Sequence, residues 1–279
     1  MNIYSAIPSL QAGEAAAKAE VLKHSGKFIS KDDQLDVTTQ VNNCNQLIAQ
    51  KVNAILLYPL DPNSLAPCFK AAAAAQIVVI PQNAPVAADQ PLIATLRTDI
   101  VQGFDHDAFL RAQAVANADP GSPYAIIGLA APVAGLTYFA KRQKYWADKF
   151  GLKFLGEVDA QSDNAAGASA AAGSLLAKYP TVKTIFAYND NTGLAASSTA
   201  RGSSRTDVRI VASDGQPAAI AGVKSGVLWG VTQIDFKAIG TNQADAAMVL
   251  IGSPKAKVPP FVTTPMKFIT KSNVSSASQ

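Results

Sequence analysis

The sequence predicts an α/β fold of two Rossmann-like lobes, each built on a mainly parallel sheet. Three observations predict it. Short apolar runs alternate with longer helical patterns almost from end to end, the signature of β-α-β units. Several of those runs, such as Ile77-Val78-Val79-Ile80, are apolar throughout, as strands are when helices cover both faces of a sheet. The stretch from Val52 to Tyr58 is echoed by Val182 to Tyr188, about 130 residues later. Each copy leads through a polar turn into a helix containing Leu-Ala, at Leu65-Ala66 and Leu194-Ala195.

In chain order, the expected strands are 27–29, 54–58, 77–80, 93–96, 124–127, 153–158, 184–188, 209–212, 228–232 and a late region over 261–269. Between them, Ala-rich segments with apolar residues three and four apart predict helices, among them 11–24, 37–50, 64–75, 165–178 and 238–251. Residues 272–279 form a polar, Ser-rich tail. A chain of 279 residues with 48 % hydrophobic and 16 % charged residues can bury a sizeable core. The net charge is +4 with Lys and Arg scattered. No basic stripe interleaved with aromatics offers a surface to nucleic acid. No apolar run approaches the ~20 residues of a membrane helix, and no charged-then-apolar leader opens the chain.

The two cysteines fall on apolar helix faces, Cys44 with Val41 and Ile48, Cys68 with Leu65, Phe69 and Ala72. Right-handed crossovers lay successive helices side by side on one face of a sheet. Two readings stand: a pair of buried thiols, or a Cys44–Cys68 disulfide formed in an oxidising compartment.

Open parallel sheets bind ligands beyond the carboxyl ends of their strands. Those ends carry Tyr58, Gln82, Asn83, Asp99, Asn189, Asp190, Asp214 and Gln233. Amides and carboxylates of this kind suit a polyhydroxylated solute, whose hydroxyls both donate and accept. Tyr4 and Tyr58 are placed to stack on an apolar sugar face.

Catalytic patterns are missing. Neither Gly-rich phosphate motif occurs, nor a G-x-S-x-G elbow, nor H-E-x-x-H. His24 beside Lys23 reads as a solvated helix end. His106 lies in Asp105-His106-Asp107, but adjacent helical residues point apart and do not converge on a metal. The chain is read as a non-enzyme without cofactor or metal.

With these strand ends in hand, the sequence resembles the periplasmic binding proteins of the ribose and galactose type over nearly its whole length. The stretches that carry the likeness are 47–56, Ala187-Tyr188-Asn189-Asp190, Ile210-Val211-Ala212-Ser213-Asp214-Gly215, and Val231-Thr232-Gln233 followed by Ile239-Gly240. The resemblance implies a multi-strand hinge between the lobes and a ligand cleft between them. It implies one lobe over 1–98 plus 236–257 and a second over 99–235 plus 258–279. Asn189 and Asp214 would hydrogen-bond the solute from the second lobe, with Gln233 near a crossover. Asp99 matches a polar crossover position, and Gln82-Asn83 stands where the ribose binder has Asp-Arg. That family's ligand-binding Arg falls on Ala140, with Arg142 two residues on. These losses of charge point away from ribose itself and toward another sugar or a polyol.

The implied protein is a monomeric solute receptor of an ABC-type uptake system, handing its ligand to a membrane permease. It would be periplasmic or extracellular, or a cell-surface lipoprotein. The alternative is a ligand-sensing domain of a chemoreceptor or transcriptional regulator. Family members open on a central strand, and only residues 1–6 precede Ile7-Pro8-Ser9. The start is therefore expected to be incomplete, with Tyr4 close to the ligand.

Overall fold

Helix starts in this chain are written into single side chains. Asp36 accepts from the Thr39 N–H and opens α2 (Val37–Ala49). Asp61 accepts from Asn63 and Ser64, with Pro62 following, and opens α3 (Pro62–Ala74). Asn164, Asn189 and Asp235 do the same for α6 (Ala165–Lys178), α7 (Asp190–Gly202) and α9 (Phe236–Gly252). Each satisfies a backbone donor that the helix itself leaves orphaned. The structure, a computed structural model, describes residues 6–84 and 93–277.

The chain divides into two units. The first comprises residues 1–102, 133–135 and 235–265. It holds α1 (Pro8–Lys23), α2, β1 (Ala54–Leu57), α3, β2 (Val78–Pro81), β3 (Asp99–Val101), α9 and β9 (Phe261–Thr263). β1 and β2 pair in parallel, Gln82 bridges to Ile100, and β3 pairs in parallel with β9. Its core joins Leu47, Ile55, Leu57, Leu65, Phe69 and Val79 with Cys44 and Cys68. Those two cysteines form a disulfide, their Cα atoms 6.4 Å apart. α1 and α9 approach so closely that a Cβ on Gly240 would sit on the Gly13 carbonyl. Only glycine permits that contact.

The second unit comprises residues 103–132, 136–234 and 266–279. It holds α4 (Phe104–Ala118), β4 (Pro123–Leu129), most of α5 (Ala134–Lys149), β5 (Lys153–Ala160), α6, β6 (Thr184–Ala187), α7, β7 (Arg209–Asp214), α8 (Pro217–Ser225), β8 (Gly230–Ile234) and β10 (Met266–Thr270). The sheet order is β10-β8-β7-β6-β4-β5, parallel except for the edge strand β10. Tyr124, Ile126, Phe186 and Val211 form its buried centre, with Trp146, Phe150 and Phe154 packed against them. No helix among the described residues is long and apolar enough to cross a membrane.

Two expected strands are absent among the described residues. Residues 27–29 are irregular; Phe28 is apolar because it packs against Ala17, Val21 and Ala244. Residues 93–96 form a turn closed by the Leu96 N–H to the Ile93 carbonyl, with Leu96 buried in the first unit's core. Phe28 and Leu96 are apolar because they pack against a core rather than join a ladder, whereas Ile29 is exposed. Residues 99–102, 133–135, 235 and 258–265, expected with the second lobe, group with the first unit, where β3 and β9 pair.

Candidate ligand-binding residues

In the second unit, three strand ends carry the expected residues. Asn189 lies two residues beyond the end of β6 and caps α7, its Oδ1 accepting from the Thr192 N–H at 2.8 Å. Its Nδ2 donates to Asp163 Oδ1 at 3.1 Å, and Tyr188 Oη donates to the same oxygen at 2.8 Å. Burial raises the Asp163 pKa, against these two hydrogen bonds. Asp214 ends β7 with a positive φ of 102°, and its register partner on β8 is Gln233. Gly215 follows with φ 72°, and a Cβ there would lie 2.4 Å from the Gln233 Cα. Glycine is needed both for the dihedral and for the close pass of β8. Asp190 accepts from the Gln216 N–H at 2.6 Å, and burial lifts its pKa to about 8.

In the first unit, the tips are Tyr58, Gln82 and Asn83. The Tyr58 carbonyl and the Leu60 N–H are both held by Gln40, whose Nε2 also donates to Asp33. This splint fixes the chain leaving β1. Gln82 Nε2 donates to Gln102 Oε1 at 3.2 Å, and Asn83 exchanges bonds with both the backbone and side chain of Gln102. Asn83 has φ 62°, a region that Asn tolerates. Gln243 of α9 donates to the carbonyls of Leu57 and Ile80, tying the ends of β1 and β2.

Two expected residues have other surroundings. Asp99 opens β3 instead of closing a strand, and is completely buried with Oδ1 accepting from the Ala84 N–H at 2.9 Å. Burial pushes its pKa to about 8. Arg142 is engaged by Asp105, and its guanidinium lies 4.2 Å from the Tyr145 ring centre and 5.7 Å from that of Trp146. Tyr4 lies outside the described residues.

Three residues were missed: Asp163, Tyr188 and Gln102. Asp163 sits in the polar turn between β5 and α6. Its signal in the sequence is the same as that of Asn189, a polar residue in the turn between a strand and the next helix.

A family model described as a periplasmic binding protein domain matches residues 6–255. This chain is a member of that family. Among curated relatives, the protein is 26 % identical to a ribose import binding protein of Bacillus subtilis over 90 % of this chain and 80 % of that one. It is also 26 % identical to a D-ribose/D-allose-binding protein of Pseudomonas aeruginosa, over 92 % and 83 %. Among solved structures, an ABC transporter solute binding protein from Mycobacterium smegmatis with bound glycerol superposes with a TM-score of 0.85. It covers 98 % of this chain and 93 % of the other at 23 % identity, a likeness of fold. The matched family and these relatives are binding proteins, not enzymes.

Proposed function

We propose that this periplasmic binding protein is the solute receptor of an ABC-type sugar uptake system, working in the periplasm or outside the cell. The solute is a small sugar or polyol, delivered to a membrane permease by a monomeric receptor. The family match carries the reading, and the strand-end chemistry agrees with it. Asn189, Asp214 and Gln233 in one unit, and Gln82, Asn83 and Tyr58 in the other, offer hydrogen-bonding groups, and no guanidinium is among them. A neutral polyhydroxylated solute needs donors and acceptors but no charge clamp. Its affinity for the closed arrangement of the two units over the open one would drive hinge closure.

The test is a thermal-shift screen with pentoses, hexoses and polyols, D-ribose and D-allose among them, since a ligand that binds only the folded state raises its melting temperature. Losing one buried hydrogen-bonding partner costs ~1–3 kcal/mol. Asn189→Ala or Asp214→Ala should therefore weaken the best binder roughly ten- to a hundredfold. Unchanged affinity in both variants, by titration calorimetry, would reject the site.

A further inference from the structure

Helix α4 of the second unit carries two buried side chains of opposite charge one turn apart, Asp107 and Arg111, each 1 % exposed. Arg111 is the largest fully buried side chain. Its guanidinium carbon lies 4.9 Å from the Phe139 ring centre and 5.3 Å from that of Phe186. Buried charges are poor evidence of added stability, because desolvation offsets their attraction and apolar side chains of similar volume often serve as well. What distinguishes these two is where their hydrogen bonds go.

β6 and β7 pair from Thr184↔Arg209 to Phe186↔Val211, and the register ends there. At that point Arg111 Nη2 donates to the Ala187 carbonyl at 2.9 Å and to the Val211 carbonyl at 3.3 Å, so one nitrogen spans both strands. Asp107 reaches the next pair of strands. Its Oδ2 accepts from Ser213 Oγ at 2.5 Å, and its Oδ1 accepts from Thr232 Oγ1. Ser213 and Thr232 are register partners on β7 and β8. Thus these hydrogen bonds end one to three residues before Asn189, Asp214 or Gln233.

We propose that Asp107 and Arg111 are positioning residues for the solute, a bar across β6, β7 and β8 that sets how Asn189, Asp214 and Gln233 are presented. This rests on the assignment of those three residues to the ligand. The pair itself touches no solute. It fixes the carbonyls and hydroxyls behind the binding groups, and so holds three separate strand ends at one spacing. Preorganisation of this kind spares the ligand the cost of ordering the tips on binding.

Arg111→Met alone leaves Asp107 buried and unpaired and risks failing to fold, so the informative variant is the double Asp107→Ala/Arg111→Met, which removes both charges. Hydrogen–deuterium exchange on the unliganded double variant is the first readout. Amides in 187–193, 211–216 and 232–235 should exchange tenfold or more faster than in the wild type, with β4 and β5 unchanged. Uniform acceleration across the sheet, or none at the tips, overturns the proposal.

The second readout uses whichever of the screened pentoses, hexoses and polyols binds the wild type most tightly. The double variant should weaken binding at least tenfold, and the same substitutions made in an Asp214→Ala background should cost less than threefold. Coupled sites are non-additive in this way, whereas a general structural defect multiplies; full multiplication of the losses also overturns the proposal. If none of the screened pentoses, hexoses and polyols binds the wild type, the receptor reading falls and the positioning role for a solute with it, whereas tip-selective exchange would still show that the two residues order the strand ends.

Discussion

Replacing Asp99 by Asn should flatten the pH dependence of this protein's stability. Asp99 is completely buried at the start of β3, with a single hydrogen bond from the Ala84 N–H to Oδ1. Oδ2 has no partner among the described residues. Desolvation therefore dominates and lifts the pKa from 3.8 to about 8. The folded state binds this proton more tightly than the unfolded state does. The stability it contributes is complete below pH ~4 and is lost as pH rises through about 8.

At ~1.4 kcal/mol per pH unit, raising pH from about 5 to about 7.5 removes on the order of 3 kcal/mol through this one group. The amide that replaces the carboxyl has the same shape and no proton to lose. Urea unfolding of both proteins, followed by circular dichroism at these two pH values, measures the difference directly. Asp190 is shifted in the same direction, but it is present in both proteins and cancels. Asp99→Asn should gain ~3 kcal/mol relative to wild type between the two pH values. A stability difference that stays constant across the range would refute the assignment of a desolvated, protonated Asp99.

Two other perturbations follow from the same geometry. Gly215→Ala forces a Cβ to within 2.4 Å of the Gln233 Cα and imposes a left-handed dihedral costing ~1–2 kcal/mol. It should weaken sugar binding tenfold or more by calorimetry, and an unchanged affinity would show that the β7–β8 junction does not shape the site. Cys44→Ser/Cys68→Ser opens a loop of sequence separation 24, which should cost about 3 kcal/mol of unfolding free energy. Thiol titration of the denatured, non-reduced wild type should find none, and two free thiols would refute the crosslink.

The strand ends were legible where the chain leaves a strand and turns at once into a capped helix. Asn189 is the clearest case, because it caps α7 only two residues after β6 ends. Asp99 was misread as a strand end because the nearby apolar residues, Ile93 and Leu96, belong to a packed turn. Arg142 invited a ligand role by its place in the resemblance, yet its partner Asp105 lies on a different helix, 37 residues away. Asp107 gave no sign at all. On α4 it is one acid in Asp105-His106-Asp107, and only the approach of β7 and β8 supplies the two hydroxyls it accepts from.

Alternation of apolar runs and helical patterns determined the fold class, because the periods of strands and helices are properties of a few consecutive residues. The same local information placed Asn189 just beyond one strand and Asp214 at the end of another. Only the tertiary structure decided that β9 would pair with β3, joining Asp99 to Phe261 across more than half the chain, and that Asp107 and Arg111 would tie three strand ends together. The physical reason is that such partners meet through closed chain rather than adjacent chain. A buried polar group must find its hydrogen bonds wherever packing brings them, and packing is not written in any one stretch of sequence.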